Sequence, residues 1–299
     1  MKSISIITID QTRVLSRSKE GNNKAIIKEL NKKLDENKNV DIVCLPEAFS
    51  VKNVRVNDVS ELAEEINGPT ITQFSEIAKK HRTYIICPLY LSTGTDYVNA
   101  AVLINRNGEV IYEYHKQFPW PDDENFNSFE LGVKKGETAP IVTCDFGTIG
   151  IFICSDVYQF NTVFEKNATP LNLIFWVTAF HGGQLINSIA QQHKTFVVTS
   201  NRQGGSRIID PLGKTIGETE RMESSLCKSI NCDYAFISID LLPMPLDELV
   251  NKLEEHFTVN LIEKERLLYV ESQSNVEVIP TLTALNILTL KEIKLLLKK

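Results

Sequence analysis

The sequence predicts an α/β fold in one continuous domain, with at least one sheet of mixed strand direction. Two observations carry the class and a third carries the mixing. Short apolar, β-branched runs alternate with longer segments of helical period over about 240 residues. No Pro/Gly/Ser-rich linker and no internal repeat interrupts that alternation. Asn105-Arg106-Asn107-Gly108 separates two apolar runs and reads as a hairpin, which excludes a purely parallel sheet.

Taken in order, residues 4–9, 41–45, 83–88 and 101–105 read as strands, as do 110–115, 149–154, 173–177, 195–200 and 235–240. Most are rich in Val and Ile and bounded by turn residues. Helical period is clearest over 22–36, where Ala25, Ile26, Leu30 and Leu34 share a face, and over 70–81, where Ile71, Phe74, Ile77 and Ala78 do. These predict amphipathic helices covering a sheet. From Leu246 the pattern turns to charged helix over 248–256 and again over 263–270, then to a tail rich in Lys and Leu. Residues 1–245 are therefore read as the main domain. Residues 246–299 are read as a helical extension, in which Leu282, Leu285, Leu288, Ile293, Leu296 and Leu297 form an apolar stripe for docking or oligomerisation.

Composition narrows the function. With 32 Lys and Arg against 38 Asp and Glu the chain carries a net charge of -6, which argues against general nucleic-acid binding. A hydrophobic fraction of 42% is enough for a packed core and excludes a disordered chain. Asp10 cuts the first apolar run short of a signal-peptide core, and no run approaches the ~20 apolar residues that span a bilayer. The expectation is a soluble cytoplasmic protein with no membrane partner. Its six cysteines, Cys44, Cys87, Cys144, Cys154, Cys227 and Cys232, are then reduced thiols. No CxxC, HExxH, GxGxxG or P-loop pattern occurs, so neither a metal nor a nucleotide cofactor is expected.

Reactive side chains collect where strands give way to loops. Three strand ends carry them: Asp41 to Glu47 ends in a carboxylate behind Pro46, Val110 to Lys116 ends in a lysine, and Gly150 to Asp156 holds Cys154 where a helix can start. Backbone N–H groups at such a junction stabilise a thiolate and an oxyanion. Singly, Cys154 equally continues an apolar run into the core, and Glu47 and Lys116 equally face solvent. Together they supply a nucleophile, a general base and a positive charge, the three roles that thiol attack on an amide-like carbon requires.

Leu45-Pro46-Glu47, His115-Lys116 and the Gly150 to Asp156 stretch resemble the three signature segments of the nitrilase, or carbon-nitrogen hydrolase, superfamily. The segments from Trp176 to Gly183 and from Val197 to Gly213 extend the resemblance, which covers about residues 4 to 240. It implies a four-layer αββα sandwich, a homodimer or higher homo-oligomer, and a Glu47-Lys116-Cys154 triad without a cofactor. It also implies a second glutamate after the lysine, for which Glu130 is preferred and Glu124 is the alternative. The implied activity is hydrolysis of small amide, carbamoyl or ω-amide substrates through a thioester on Cys154. Gln192 stands where many relatives carry an acidic residue, which motivates an alternative reading as a non-catalytic binding or scaffold protein.

Overall fold

The computed structural model describes residues 3–14, 16–122, 128–165 and 171–297. The first half runs β1 (Ser3–Ile9), α1 (Lys19–Glu36), β2 (Ile42–Cys44), α2 (Pro69–His81), β3 (Tyr84–Ser92), β4 (Tyr97–Ile104) and β5 (Val110–His115). The second runs β6 (Ile141–Cys144), β7 (Gly147–Ile153), α3 (Phe160–Glu165), β8 (Leu173–Thr178), α4 (Gly183–His193), β9 (Phe196–Asn201), β10 (Arg207–Ile209), β11 (Thr215–Glu218) and β12 (Ser225–Asn231). Ser18 caps α1 by accepting from the Gly21 N–H, and Pro69 opens α2, where its missing N–H is harmless.

These strands build two six-stranded mixed sheets, ordered β12-β1-β2-β3-β4-β5 and β11-β10-β9-β8-β7-β6. In the first, β1, β2 and β3 are parallel and β3, β4 and β5 antiparallel. The second has a parallel centre of β7, β8 and β9 with antiparallel flanks. The hairpin expected at Asn105 to Gly108 is there: Gly108 takes φ 81°, and Asn105 Oδ1 accepts from the Asn107 and Glu109 N–H groups.

Both faces of the central strands are buried, which is why those strands read as unbroken apolar runs. On the outer face of the first sheet, Ile7, Val43, Ile85 and Val102 pack with Ile26, Leu30 and Leu34 of α1 and Ile71, Phe74 and Ile77 of α2. On the outer face of the second, Phe152, Ile174, Trp176 and Val197 pack with Phe160 of α3 and Ile186 and Ile189 of α4. The alternate residues, among them Ile6, Ile42, Ile151, Phe175 and Val198, are just as buried. There the sheets meet: Thr8 Oγ1 donates to Thr199 O at 2.6 Å, and Ser200 Oγ to Ile9 O at 2.8 Å and Cys44 O at 3.0 Å. The result is the helix-sheet-sheet-helix sandwich. Strands β6, β10 and β11 are only three or four residues long, too short for alternation to register in the sequence.

The chain divides into two compact units, residues 5–228 and residues 229–299 with the first four. The second contains β13 (Tyr234–Ser238), α5 (Leu246–Leu253), β14 (Phe257–Ile262), β15 (Leu267–Ser272), α6 (Val278–Ala284) and α7 (Leu290–Leu296). Its three-stranded antiparallel sheet has the order β13-β15-β14. Where helix was expected over 263–270, the chain forms β15. Phe257 and Val259, then Leu268 and Val270, alternate into this unit's core, while Glu263 to Arg266 make the turn, with Arg266 left-handed. The expected stripe is not one helix either, because Asn286 is left-handed and Thr289 starts α7 with its own capping box. Leu282 is buried in this core, whereas Leu288, Leu296 and Leu297 are exposed. Among the described residues no helix is long and apolar enough to cross a membrane.

Candidate active site

Three strand ends of the larger unit meet. After β2, Leu45 N bonds to Ile86 O, and the chain then turns sharply at Ala48, which is left-handed at φ 43°. This aims Glu47 inward, where it is 4% exposed. Residues Ala100 and His115 are paired between β4 and β5, so the next pair, Asn99 and Lys116, lies side by side, with Lys116 N bonded to Asn99 O at 2.9 Å. Lys116 is 1% exposed. Its Nζ donates to Glu47 Oε1 at 2.9 Å and also to Glu130 Oε1.

Glu130 lies in a short turn, Glu130–Gly132, whose three residues all have positive φ. Its Oε1 also accepts from the Trp120 N–H at 2.8 Å, and its Oε2 from Asn99 Nδ2 at 2.8 Å. The same Asn99 nitrogen donates to Glu47 Oε1 at 2.9 Å. One lysine and one amide therefore hold two buried carboxylates together, which is the way such charges are tolerated inside a protein. Glu124, the alternative second glutamate, lies outside the described residues.

Cys154 follows β7 with φ 47°, a conformation that costs a non-glycine residue energy and turns the chain from strand into a short helical turn. Trp176 Nε1 donates to Cys154 O at 2.9 Å. Asp156 fixes the far side: its carboxylate accepts from Ile153 N at 3.1 Å, Gln117 N at 3.1 Å, Phe118 N at 2.9 Å and Tyr114 Oη at 2.8 Å. It thus ties the cysteine turn to the segment after Lys116.

The charges follow from burial and proximity. Burial alone pushes the Glu47 carboxyl up, but the charges of Lys116 and Arg202 and the bonds from Lys116 and Cys154 outweigh it, and the net shift is downward. The Lys116 ammonium opposes burial with two glutamates and is held well above its usual range. Burial, then the Glu47 charge, pushes the Cys154 thiol up to about 12, against the pull of Lys116 and the Ala179 N–H. Burial and the Glu47 charge thus work against the thiolate that the backbone N–H groups of a strand end favour. Glu47 Oε2 is buried and makes no well-aligned hydrogen bond, which leaves it available to the thiol proton.

Glu47, Lys116, Glu130 and Cys154 are thus brought together. Asn99 and Asp156 were not expected in these positions. Of the aromatics near Lys116 and Cys154 in sequence, Phe118 and Phe160 pack in the core, while exposed Tyr158 stacks on Phe180 at 5.9 Å and stands 6.5 Å from Trp120. Among the described residues no group of three or more His, Cys, Asp and Glu could hold a metal ion.

The carbon-nitrogen hydrolase family model matches residues 7–231. The chain belongs to that family. It is 30% identical over 123 residues to β-ureidopropionase of Arabidopsis thaliana, a match covering 38% of this chain and 29% of that one. It is 20% identical over 252 residues to the nitrilase and fragile histidine triad fusion protein of Caenorhabditis elegans, covering 76% and 56%. The chain thus spans 29% to 56% of these relatives' lengths. Among solved structures, Saccharomyces cerevisiae Nit3, a member of branch 10 of the nitrilase superfamily, superposes with a TM-score of 0.65 at 18% identity, covering 89% of this chain and 97% of Nit3. An amidase from Nesterenkonia sp. gives 0.64 at 18%, covering 84% and 96%. These similarities establish the fold.

Proposed function

We propose that the protein is a cysteine-dependent hydrolase of non-peptide carbon-nitrogen bonds in small amide, carbamoyl or ω-amide compounds. The observation that carries the reading is the buried Glu47-Lys116 pair set against Cys154 on a left-handed strand end. Glu47 accepts the thiol proton as Sγ attacks the substrate carbon, so the unfavourable thiolate need not form in advance. Lys116 Nζ and the Ser155 N–H stabilise the oxyanion of the tetrahedral intermediate. The C–N bond breaks, the amine leaves with the proton from Glu47, and an acyl thioester remains on Cys154. Glu47 then takes a proton from water, which attacks the thioester and releases the acid and the thiol. Glu130 positions Lys116 and leaves Glu47 free to act as base.

The likeness to β-ureidopropionase supports including carbamoyl compounds among the substrates, and the likeness to amidases supports small amides. The resemblance to the family also supports a homodimer. The test is ammonia release from a panel of small amides, carbamoyl compounds and nitriles, with Cys154→Ala as the blank. Release that vanishes in the variant is the expected result. Turnover that survives the substitution overturns the assignment, and silence across the panel together with a Cys154 inert to iodoacetamide favours the scaffold reading.

A further inference from the structure

We infer that Arg202 is the anchor for a carboxylate at the far end of the substrate, so that the amide cleaved here belongs to a short-chain acid. The inference rests on the proposed hydrolase reading and names its substrate class.

Strands β7, β8 and β9 are parallel neighbours, with Ile153 beside Val177 and Thr178 beside Asn201. Cys154, Ala179 and Arg202 therefore lie one residue beyond the same edge of the sheet, and Arg202 N bonds to Thr178 O at 2.9 Å. Two strand spacings put the Arg202 backbone about 10 Å from that of Cys154. That separation suits an acid with a few carbons between its carboxylate and the scissile carbon.

The side chain itself has no partner among the described residues. Three arginines among the described residues are not exposed: Arg106, Arg202 and Arg207. Arg106 is paired with Asp41 and Asp145, and Arg207 is bonded to Asn187 Oδ1 and to the carbonyls of His181 and Gly183. The half-buried Arg202 guanidinium has no hydrogen bond or ion pair among the described residues. Its charge nonetheless reaches Glu47, Lys52 and Tyr90, so it acts on the triad's side of the sheet edge. Neither nearby glutamate serves as its partner, because both are held by Lys116 and Asn99. Lys52, a further cation here, is tied to the carbonyls of Gln11 and Thr12. A partly desolvated guanidinium with an unfilled fork of donors matches the geometry of a carboxylate. A rival role is that Arg202 only holds Glu47 ionised, in which case acidic and neutral substrates depend on it equally.

The experiment compares glutaramate with valeramide, which has the same chain length but no carboxylate. Calorimetry on the Cys154→Ala protein measures binding without turnover. Glutaramate is expected to bind roughly 10- to 100-fold more tightly, as hydrogen bonds to charged groups allow. Adding Arg202→Gln should remove that preference, and Arg202→Lys should keep part of it. With Cys154 intact, the ratio of kcat/KM for glutaramate to that for valeramide should fall by a similar factor through KM. Equal affinities for the two probes, or a preference that survives Arg202→Gln, overturns the inference. An equal loss on both probes assigns Arg202 to Glu47 and overturns it as well. A preference that depends on Arg202 in a protein releasing no ammonia supports the anchor and counts against the hydrolase reading alone.

Discussion

At the scale of single residues, the site was legible where chemistry falls at a strand end and illegible where it falls inside a strand. Glu47, Lys116 and Cys154 each terminate an apolar run and so stand out. Asn99 is one amide within Tyr97-Val98-Asn99-Ala100, and its position between two glutamates depends on the pairing of Ala100 with His115, a register that the sequence does not display. The raised thiol was hidden for a related reason, since burial by distant segments sets it. Asn99 gives a sharp test. Asn99→Leu removes a donor from both carboxylates while keeping the strand apolar. A hydrogen bond to a charged group is worth about 1.5–3 kcal/mol, so kcat/KM should drop roughly 10- to 100-fold. Because the lost donor favoured ionised Glu47, the acid limb of the pH profile should also move to higher pH. An unchanged profile would show that Asn99 only packs.

At the scale of elements, the site depends on turns that hold side chains against their backbone preference. Ala48, Glu130 and Cys154 all take positive φ, beside or within the proposed triad. Asp156 restrains one of these turns with four accepted bonds, and its carboxyl is pushed up to about 6 from an ordinary 3.8, chiefly by burial. Nothing in the sequence singles it out, because three of its donors come from Tyr114, Gln117 and Phe118 at another strand end. Between pH 4 and 6 the folded state then holds more proton than the unfolded one, so the native protein loses stability as pH rises through that window. A shift of two units corresponds to about 3 kcal/mol. Asp156→Asn should destabilise the protein, since an amide cannot accept from all four donors. Its deficit should be largest near pH 4 and shrink towards pH 6, as urea unfolding at several pH values would reveal. A deficit that grows with pH instead would mean that the four donors hold the carboxylate ionised.

For the whole molecule, alternation of apolar runs was enough to announce the α/β class, because strands buried on both faces leave unbroken hydrophobic stretches. It was not enough to count the strands: β6, β10 and β11 are too short to register, and β12 is polar. Beyond residue 246 the sequence misled for a different reason. Charged residues of the turn at Glu263 to Arg266 adjoin apolar ones of β15, and together they imitate helical period. The same stretch bears on assembly. Leu296 and Leu297 are 55% and 82% exposed at the end of α7, a position where isolated apolar side chains need no partner but neighbouring ones often have one. If the family resemblance extends to a homodimer, light scattering across a range of concentrations should give twice 33.8 kDa. If the leucines contribute, Leu296→Glu with Leu297→Glu should shift the mass towards the monomer, since a buried unpaired carboxylate opposes association. A mass of one chain at every concentration excludes the dimer, and an unshifted dimer places its interface elsewhere on the protein.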